Sequence, residues 1–285
     1  MGSALDDLLR LLELEPLEVN LFRGVSPDED RQRVFGGQVA AQALVAAGRT
    51  VADDRPVHSL HAYFLRPGDP NAAIVYEVDR IRDGRSFTTR RVVGIQHGRA
   101  IFNLAASFQV VEQGPEHRDE MPVVADPETL PTFVERVEPH LDRFGPDFAE
   151  WLVRERPIDS RPVELPPWLD PTPRPPSQDV WIRTNGTLSD DPLLHACVVA
   201  YASDLTLLDT AVLPHAFDHR EHEYQMASLD HAMWFHRPFR VDEWVLYHQH
   251  SPSAAGARGF AQGTIFRRDG VLAVTVVQEG LIRQL

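Results

Sequence analysis

The sequence predicts an α+β chain built as two tandem copies of one unit, each a long buried helix wrapped by an antiparallel sheet. Three observations carry this. Two helical segments are apolar on every side, each is followed by a run of strands, and short residue patterns in the first half return in the second in the same order. A fixed internal echo of this kind is read before any local pattern, because it fixes the architecture.

The elements follow in order. Ser3 is placed to cap a helix over LDDLLRLLELE, with Leu5, Leu8, Leu9 and Leu12 on one face and Pro16 as its stop. LEVNLFRG reads as a strand. In FGGQVAAQALVAAGRTV the Ala and Val positions point in nearly every direction, so this helix is expected to be buried all round. HSLHAYFLRP, AAIVYEVDRIR, SFTTRRVVGIQ and AIFNLAASFQVV read as strands, with Asp83-Gly84 and His97-Gly98 where hairpin turns would join them. Between Pro115 and Pro176 lie fourteen of the 23 prolines. LPTFVERVEPHLDRFGPDFAEWLV can hold one or two short helices there, and RPIDSRPVEL reads as an edge strand whose prolines need no ladder donor. The rest reads as a linker across the surface shared by two packed units.

The second half repeats the first. VWIRTNG reads as a strand, and DPLLHACVVAYASDLTLLDT as a second helix apolar all round. YQMASLDHAMWFHRP, EWVLYHQHS, RGFAQGTIFR and VLAVTVVQEGLI read as strands, with Asp269-Gly270 as the last hairpin. His61-Ala62 through Arg66-Pro67 is echoed by His231-Ala232 through Arg237-Pro238, and Ser107-Phe108-Gln109 by Val276-Val277-Gln278. This order predicts a double hotdog: residues 1–115 as a first unit with a leading helix, 116–154 as a Pro-rich linker, and 155–285 as a second unit.

Composition bounds the function. With 28 basic and 42 acidic side chains the formal net charge is −14, a poor field for nucleic acid or an anionic membrane. An anionic small molecule would need a local basic patch. Arg80, Arg82, Arg85, Arg90 and Arg91, and then Arg258, Arg267 and Arg268, are candidates, although alternating strand arginines also read as a solvated sheet face. The single cysteine, Cys197, allows no internal disulfide and no cysteine metal cluster; its place on an apolar helix reads as core. No secretory signal, myristoylation pattern or membrane-length apolar run is read, so a cytoplasmic protein is expected.

The segments RVFGGQVAAQAL, HSLHAYFLRPGD, DGRSFTTRRV, VWIRTNG, YASDL, LDHAMWFHRPF, ARGF and VQEG, in this order from about residue 20 onward, resemble the acyl-CoA thioesterase II family. The resemblance implies a double hotdog and hydrolysis of acyl-CoA to free fatty acid and CoA. It also implies no metal or other cofactor, and association into a homo-oligomer, a dimer or tetramer. Family members with a peroxisomal address end in Ser-Lys-Leu, whereas this chain ends Arg283-Gln284-Leu285. The family's water-holding trio falls on Asp204 in YASDL, Ser228 in ASLDHAMWFHRP, where several members carry Thr, and Gln278 in VVQEG.

The chemistry is coherent for these residue types. A carboxylate can take a water's proton, while a hydroxyl and an amide orient that water without adding charge. Taken singly, each has a plainer reading: Asp204 as a helix-end cap or exposed charge, Ser228 as a strand hydroxyl, Gln278 as a strand-edge amide. Backbone groups at the N-terminus of a buried helix are the expected oxyanion donors. Gly36 and Gly37 permit close approach there, or merely mark the helix entry. The first helix carries no acid and reads as scaffold. Trp234, Phe235 and Phe239 can line an acyl groove or pack the core.

His215, His219 and His222 have a helical spacing that would suit zinc, but they fall in a loop-like segment without a second zinc motif. No G-x-S-x-G is present, which argues against a serine nucleophile. Two rival readings remain. One is a hotdog hydratase or dehydratase acting on an acyl thioester, with His231 beside the Asp. The other is a non-catalytic acyl-CoA-binding module.

Overall fold

Two core helices lie side by side and antiparallel, and one continuous sheet wraps both. The structure, a computed structural model, describes residues 3–27, 32–215 and 224–285. The chain opens with helix α1 (Ala4–Leu12), capped by Ser3 in a reciprocal box with Asp6, which buries Leu5, Leu8 and Leu12. This helix ends before Pro16. Glu13 leaves the helical conformation, and the proline falls inside strand β1 (Glu15–Glu18), which hairpins onto β2 (Leu21–Gly24). The single strand expected over LEVNLFRG is thus the end of β1, a turn and β2.

Helix α2 (Gly36–Gly48) buries every residue from Gly37 to Ala47, as its apolar circumference requires. After it come β3 (Val57–Phe64), β4 (Ile74–Asp83), β5 (Phe87–Gln96) and β6 (Arg99–Gln109). The β5–β6 turn has positive φ at both His97 and Gly98, the backbone a two-residue hairpin needs. The Pro-rich stretch contains α3 (Phe133–Val137) and α4 (Pro146–Val153), gathered around buried Val137, Leu152 and Leu169. Strand β7 (Ile158–Pro162) follows, at the edge of the sheet and, among the described residues, paired with β8 (Ser177–Thr184) alone.

The linker does not run across a surface shared by the two halves. Met121, Val124 and Leu130 pack on Trp181, Trp244, Leu246 and Phe266, all from the second half, and Trp181 Nε1–H donates to Ala125 O at 2.9 Å. Arg268 is bound to Asp126 and Glu128 of the same segment. With both of its faces covered, β8 buries Val180, Trp181 and Ile182 in succession instead of alternating.

Helix α5 (Pro192–Ser203) is capped by Asp191 and is again buried round its circumference. It stops at Asp204, short of the helix expected over the whole apolar segment, and short 3₁₀ turns continue to His215. The run Pro192–His215 is apolar enough by composition to match a membrane span, contrary to the reading of the bare sequence, yet 67% of its most apolar stretch is buried inside the fold. At about 1.5 Å per residue, α5 itself reaches only about 18 Å.

The strand expected over residues 224–238 divides into β9 (Tyr224–Ser228) and β10 (Asp230–Phe235), both paired with β13 (Leu272–Gln284) but out of register by one residue. Strands β11 (Val245–Ala255) and β12 (Arg258–Arg267) complete the meander. The path across the sheet is β1-β2-β4-β5-β6-β3-β10-β13-β12-β11-β8-β7, with β9 on β13. The order β2-β4-β5-β6-β3 meets its mirror β10-β13-β12-β11-β8 at the β3–β10 pair, and each half wraps one helix. That is a double hotdog.

Glycines let the two helices touch. A Cβ on Gly37 would stand 2.5 Å from Tyr201 O, and one on Gly48 would strike the Leu193 side chain. The N-terminus of α2 therefore meets the C-terminus of α5.

Candidate active site

Asp204 is the residue at which α5 ends, so its carboxylate projects from the helix terminus into the space between both helices and the sheet. Ser228 is the last residue of β9, just before the register slip at Leu229. That slip lets the chain pass from one pairing to the next while Leu229 bonds both ways, its N–H to Glu279 O and its carbonyl to Phe64 N–H. Gln278 is on the core-facing side of β13 and is 0% exposed.

The three predicted residues meet on one atom. Ser228 Oγ–H donates to Asp204 Oδ1 at 3.1 Å, and Gln278 Nε2–H donates to the same oxygen at 2.6 Å. The other carboxylate oxygen, Oδ2, faces the start of α2, where a Cβ on Gly36 would lie 2.7 Å from it. Phe35, the N-cap of α2, makes no side-chain capping bond, so the first-turn amides take no cap from that side chain. The partial positive charge of a helix N-terminus thus sits beside a carboxylate. For Gly36, the close-approach reading is the one the packing supports.

Two further groups join the cluster: Ser203, which the sequence did not single out, and His231, which it gave a role only in the rival hydratase reading. His231, 1% exposed, lies 2.8 Å from Ser203 Oγ through Nε2 and 3.2 Å from Gln278 Nε2 through Nδ1. Burial holds its imidazole below the ordinary pKa, while Asp204 and Asp230 pull the other way. Both ring nitrogens face protein partners. A base for water addition would need one of them turned to a substrate, so this arrangement does not favour the hydratase reading. The signal available for Ser203 was its place one residue before the acid at a helix end, and for His231 its even spacing from core Met233.

Several other candidates move. Arg90 is not a phosphate ligand: it is 1% exposed, with bonds to Thr50 O (2.9 Å), Thr50 Oγ1 (2.8 Å) and Asp83 (2.5 Å) that tie β5 to the end of α2. Arg258 is paired with Glu279, Arg267 with Asp269, and Arg268 with the linker acids. Arg80 and Arg91 donate to Asn20 and Asn103.

Trp234 is on the sheet face opposite buried Met233 and packs edge-on against His61, so it does not line a groove beside the helices. Phe235 and Phe239 stack 6.5 Å apart against the core. Cys197 is fully buried, and burial pushes its thiol far above the ordinary pKa. His215 ends a 3₁₀ turn; His219 and His222 lie outside the described residues. Among the described residues no group of three or more His, Cys, Asp or Glu could hold a metal.

A family profile described as acyl-CoA thioesterase matches residues 153–281, and one described as acyl-CoA thioesterase N-terminal domain matches 26–109. Acyl-coenzyme A thioesterase 8 of Homo sapiens is 45% identical over 96% of this chain and 88% of its own length. Acyl-CoA thioesterase 2 of Haemophilus influenzae is 41% identical over 99% of both. The crystal structure of an acyl-CoA thioesterase II from Mycobacterium marinum superposes with a TM-score of 0.80 at 46% identity, covering 98% of each chain.

Proposed function

The chain belongs to the acyl-CoA thioesterase II family, and we propose that it hydrolyses fatty acyl-CoA to free fatty acid and CoA by direct attack of a water held by Asp204, Ser228 and Gln278. The observation that carries this reading is the convergence of a hydroxyl and an amide on one oxygen of a carboxylate, beside the N-terminus of a buried helix. Oδ1 is occupied by two donors, so Asp204 offers Oδ2 to the water. The water oxygen attacks the thioester carbon while Asp204 takes its proton. The tetrahedral oxyanion is met by first-turn amides of α2. Collapse breaks the C–S bond, and the proton passes to the departing CoA thiolate.

The half of the chain around α2 supplies those amides and no acid, so one reaction centre serves both units. A homo-oligomer, dimer or tetramer, in the cytoplasm is part of the same proposal; light scattering and cell fractionation address it.

Asp204→Asn keeps the shape and removes the base. Thiol release from acyl-CoA, without added metal, should fall by at least about 100-fold, within the range general acid–base catalysis contributes. Hydrolysis at the wild-type rate by a folded Asn variant would exclude the mechanism.

A further inference from the structure

Gln278 is held by two neighbours that together allow its amide one orientation. Nε2 lies 2.6 Å from Asp204 Oδ1 and 3.2 Å from His231 Nδ1. Turned over, the amide would set its oxygen against the carboxylate oxygen, two acceptors with no hydrogen between them. It would also leave Nδ1 without a donor, provided Nδ1 carries a lone pair.

That condition is set one bond further back. Ser203 belongs to the last turn of α5, where carbonyls lack a helical donor, and its Oγ–H donates to Ala200 O at 3.0 Å. With its one hydrogen committed there, the hydroxyl accepts from His231, 2.8 Å away, so Nε2 carries the imidazole proton and Nδ1 does not. The chain of donors then runs without a break from His231 to Ser203 to Ala200, and from Gln278 to both His231 and Asp204. Gln278 Oε1 is left buried with no hydrogen-bond partner among the described residues.

We propose that His231, fixed by Ser203 with its proton on Nε2, is a positioning residue that locks the Gln278 amide so that Oε1 accepts a hydrogen from the attacking water. This rests on the water-attack reading above and deepens it. A water that attacks must aim a lone pair at the thioester carbon, so its two hydrogens need acceptors: Asp204 takes one and Oε1 holds the other. A reversed amide would present N–H groups there and engage the lone pair instead. The first half of the chain has no such lock. His61, the sequence echo of His231, is exposed, so the structure moves the register by one: Leu60 stands before His231 by the same offset that separates Tyr76 from Tyr247, and it pairs with Ala106 in an apolar core.

Two substitutions separate the bonds. His231→Asn places an amide oxygen near the position of Nδ1 and keeps an acceptor for Gln278 while losing Ser203. His231→Gln reaches toward Ser203 and loses the acceptor beside Gln278. His231→Leu, which installs the residue found at position 60, removes both. Each is assayed for kcat and KM by thiol release from acyl-CoA, with a melting curve, and with Asp204→Asn as reference.

We expect His231→Asn within about threefold of wild type in kcat. His231→Gln and His231→Leu should be about 10- to 100-fold lower at unchanged KM, the scale of a misplaced reacting group. Equal kcat for the Asn and Gln variants, or kcat that follows melting temperature across the series, overturns the positioning role while an inactive Asp204→Asn leaves the water-attack reading standing. Should His231→Leu fail to fold, the Asn–Gln contrast still decides. A fully active Asp204→Asn removes both.

Discussion

Gly36→Ala adds one methyl group at the point where α2 meets Asp204. That Cβ would lie 2.7 Å from Asp204 Oδ2 and 2.9 Å from Phe64 Cε1. An ordinary contact is about 3.5 Å, so the carboxylate must retreat by roughly 0.8 Å or turn. Oδ1 resists that retreat, because Ser228 and Gln278 both hold it. The carboxylate therefore rotates away from the water's place, and a displacement approaching 1 Å at a reacting group costs about 100-fold in rate.

Stability should respond differently. Alanine is favoured over glycine inside a helix by roughly 0.5–1 kcal/mol, which offsets part of the crowding at this first-turn position. The assay is kcat for thiol release together with the urea midpoint: kcat is expected to fall about 10- to 100-fold while the midpoint moves little. Gly37→Ala is the contrasting control. Its Cβ meets the Tyr201 backbone oxygen at 2.5 Å, which cannot swing aside, so that variant should lose stability first. A folded Gly36→Ala enzyme with wild-type kcat would refute the placement of Oδ2 against the helix start.

Ser228→Ala removes a hydrogen bond to a charged group, worth about 1.5–3 kcal/mol, and should lower kcat about 10- to 100-fold, whereas Ser228→Thr, which keeps the hydroxyl, should stay near wild type. Arg90→Met strands the Thr50 carbonyl, while the Thr50 hydroxyl keeps its bond to Ala47 O, and should cost about 2 kcal/mol in urea unfolding with KM for acyl-CoA unchanged; a raised KM at full stability would restore Arg90 to the substrate site. Asp209, on the 3₁₀ turn Leu208–Ala211, has its carboxyl pushed up by burial to about 7. The folded pKa lies above the unfolded one, so this group's contribution is complete below about pH 4 and is lost as pH rises toward 7, where the unfolded chain alone has released its proton. Asp209→Asn should flatten that decline in melting temperature between pH 4 and 7, and an identical slope in both proteins would count against it.

The linker shows where chain order misleads. Its prolines mark a connector, and its length suggests a crossing between units. Which surface it covers depends on Trp181, Trp244 and Phe266, three residues that come after it in sequence and meet only once β8, β11 and β12 pair. The arginines mislead similarly: Arg90 and Arg91 alternate along one strand, yet β5 turns the first into the core and the second outward, and the sequence alone does not say which face is covered.

Sequence by itself determined the double architecture, and its resemblance to a known family pointed to the catalytic candidates. Helices apolar on every side must be buried all round, and two of them, each followed by the same run of strands, point to two sheets wrapped around them. Tertiary structure alone decided which oxygen of Asp204 is engaged, that Gly36 stands against the other, and that His231 lies within hydrogen-bond reach of both Ser203 and Gln278. The physical reason is reach. Hydrophobic periodicity is written along the chain, but a hydrogen bond is a matter of tenths of an ångström between atoms up to 74 positions apart, set by helix ends, strand register and a one-residue slip at Leu229.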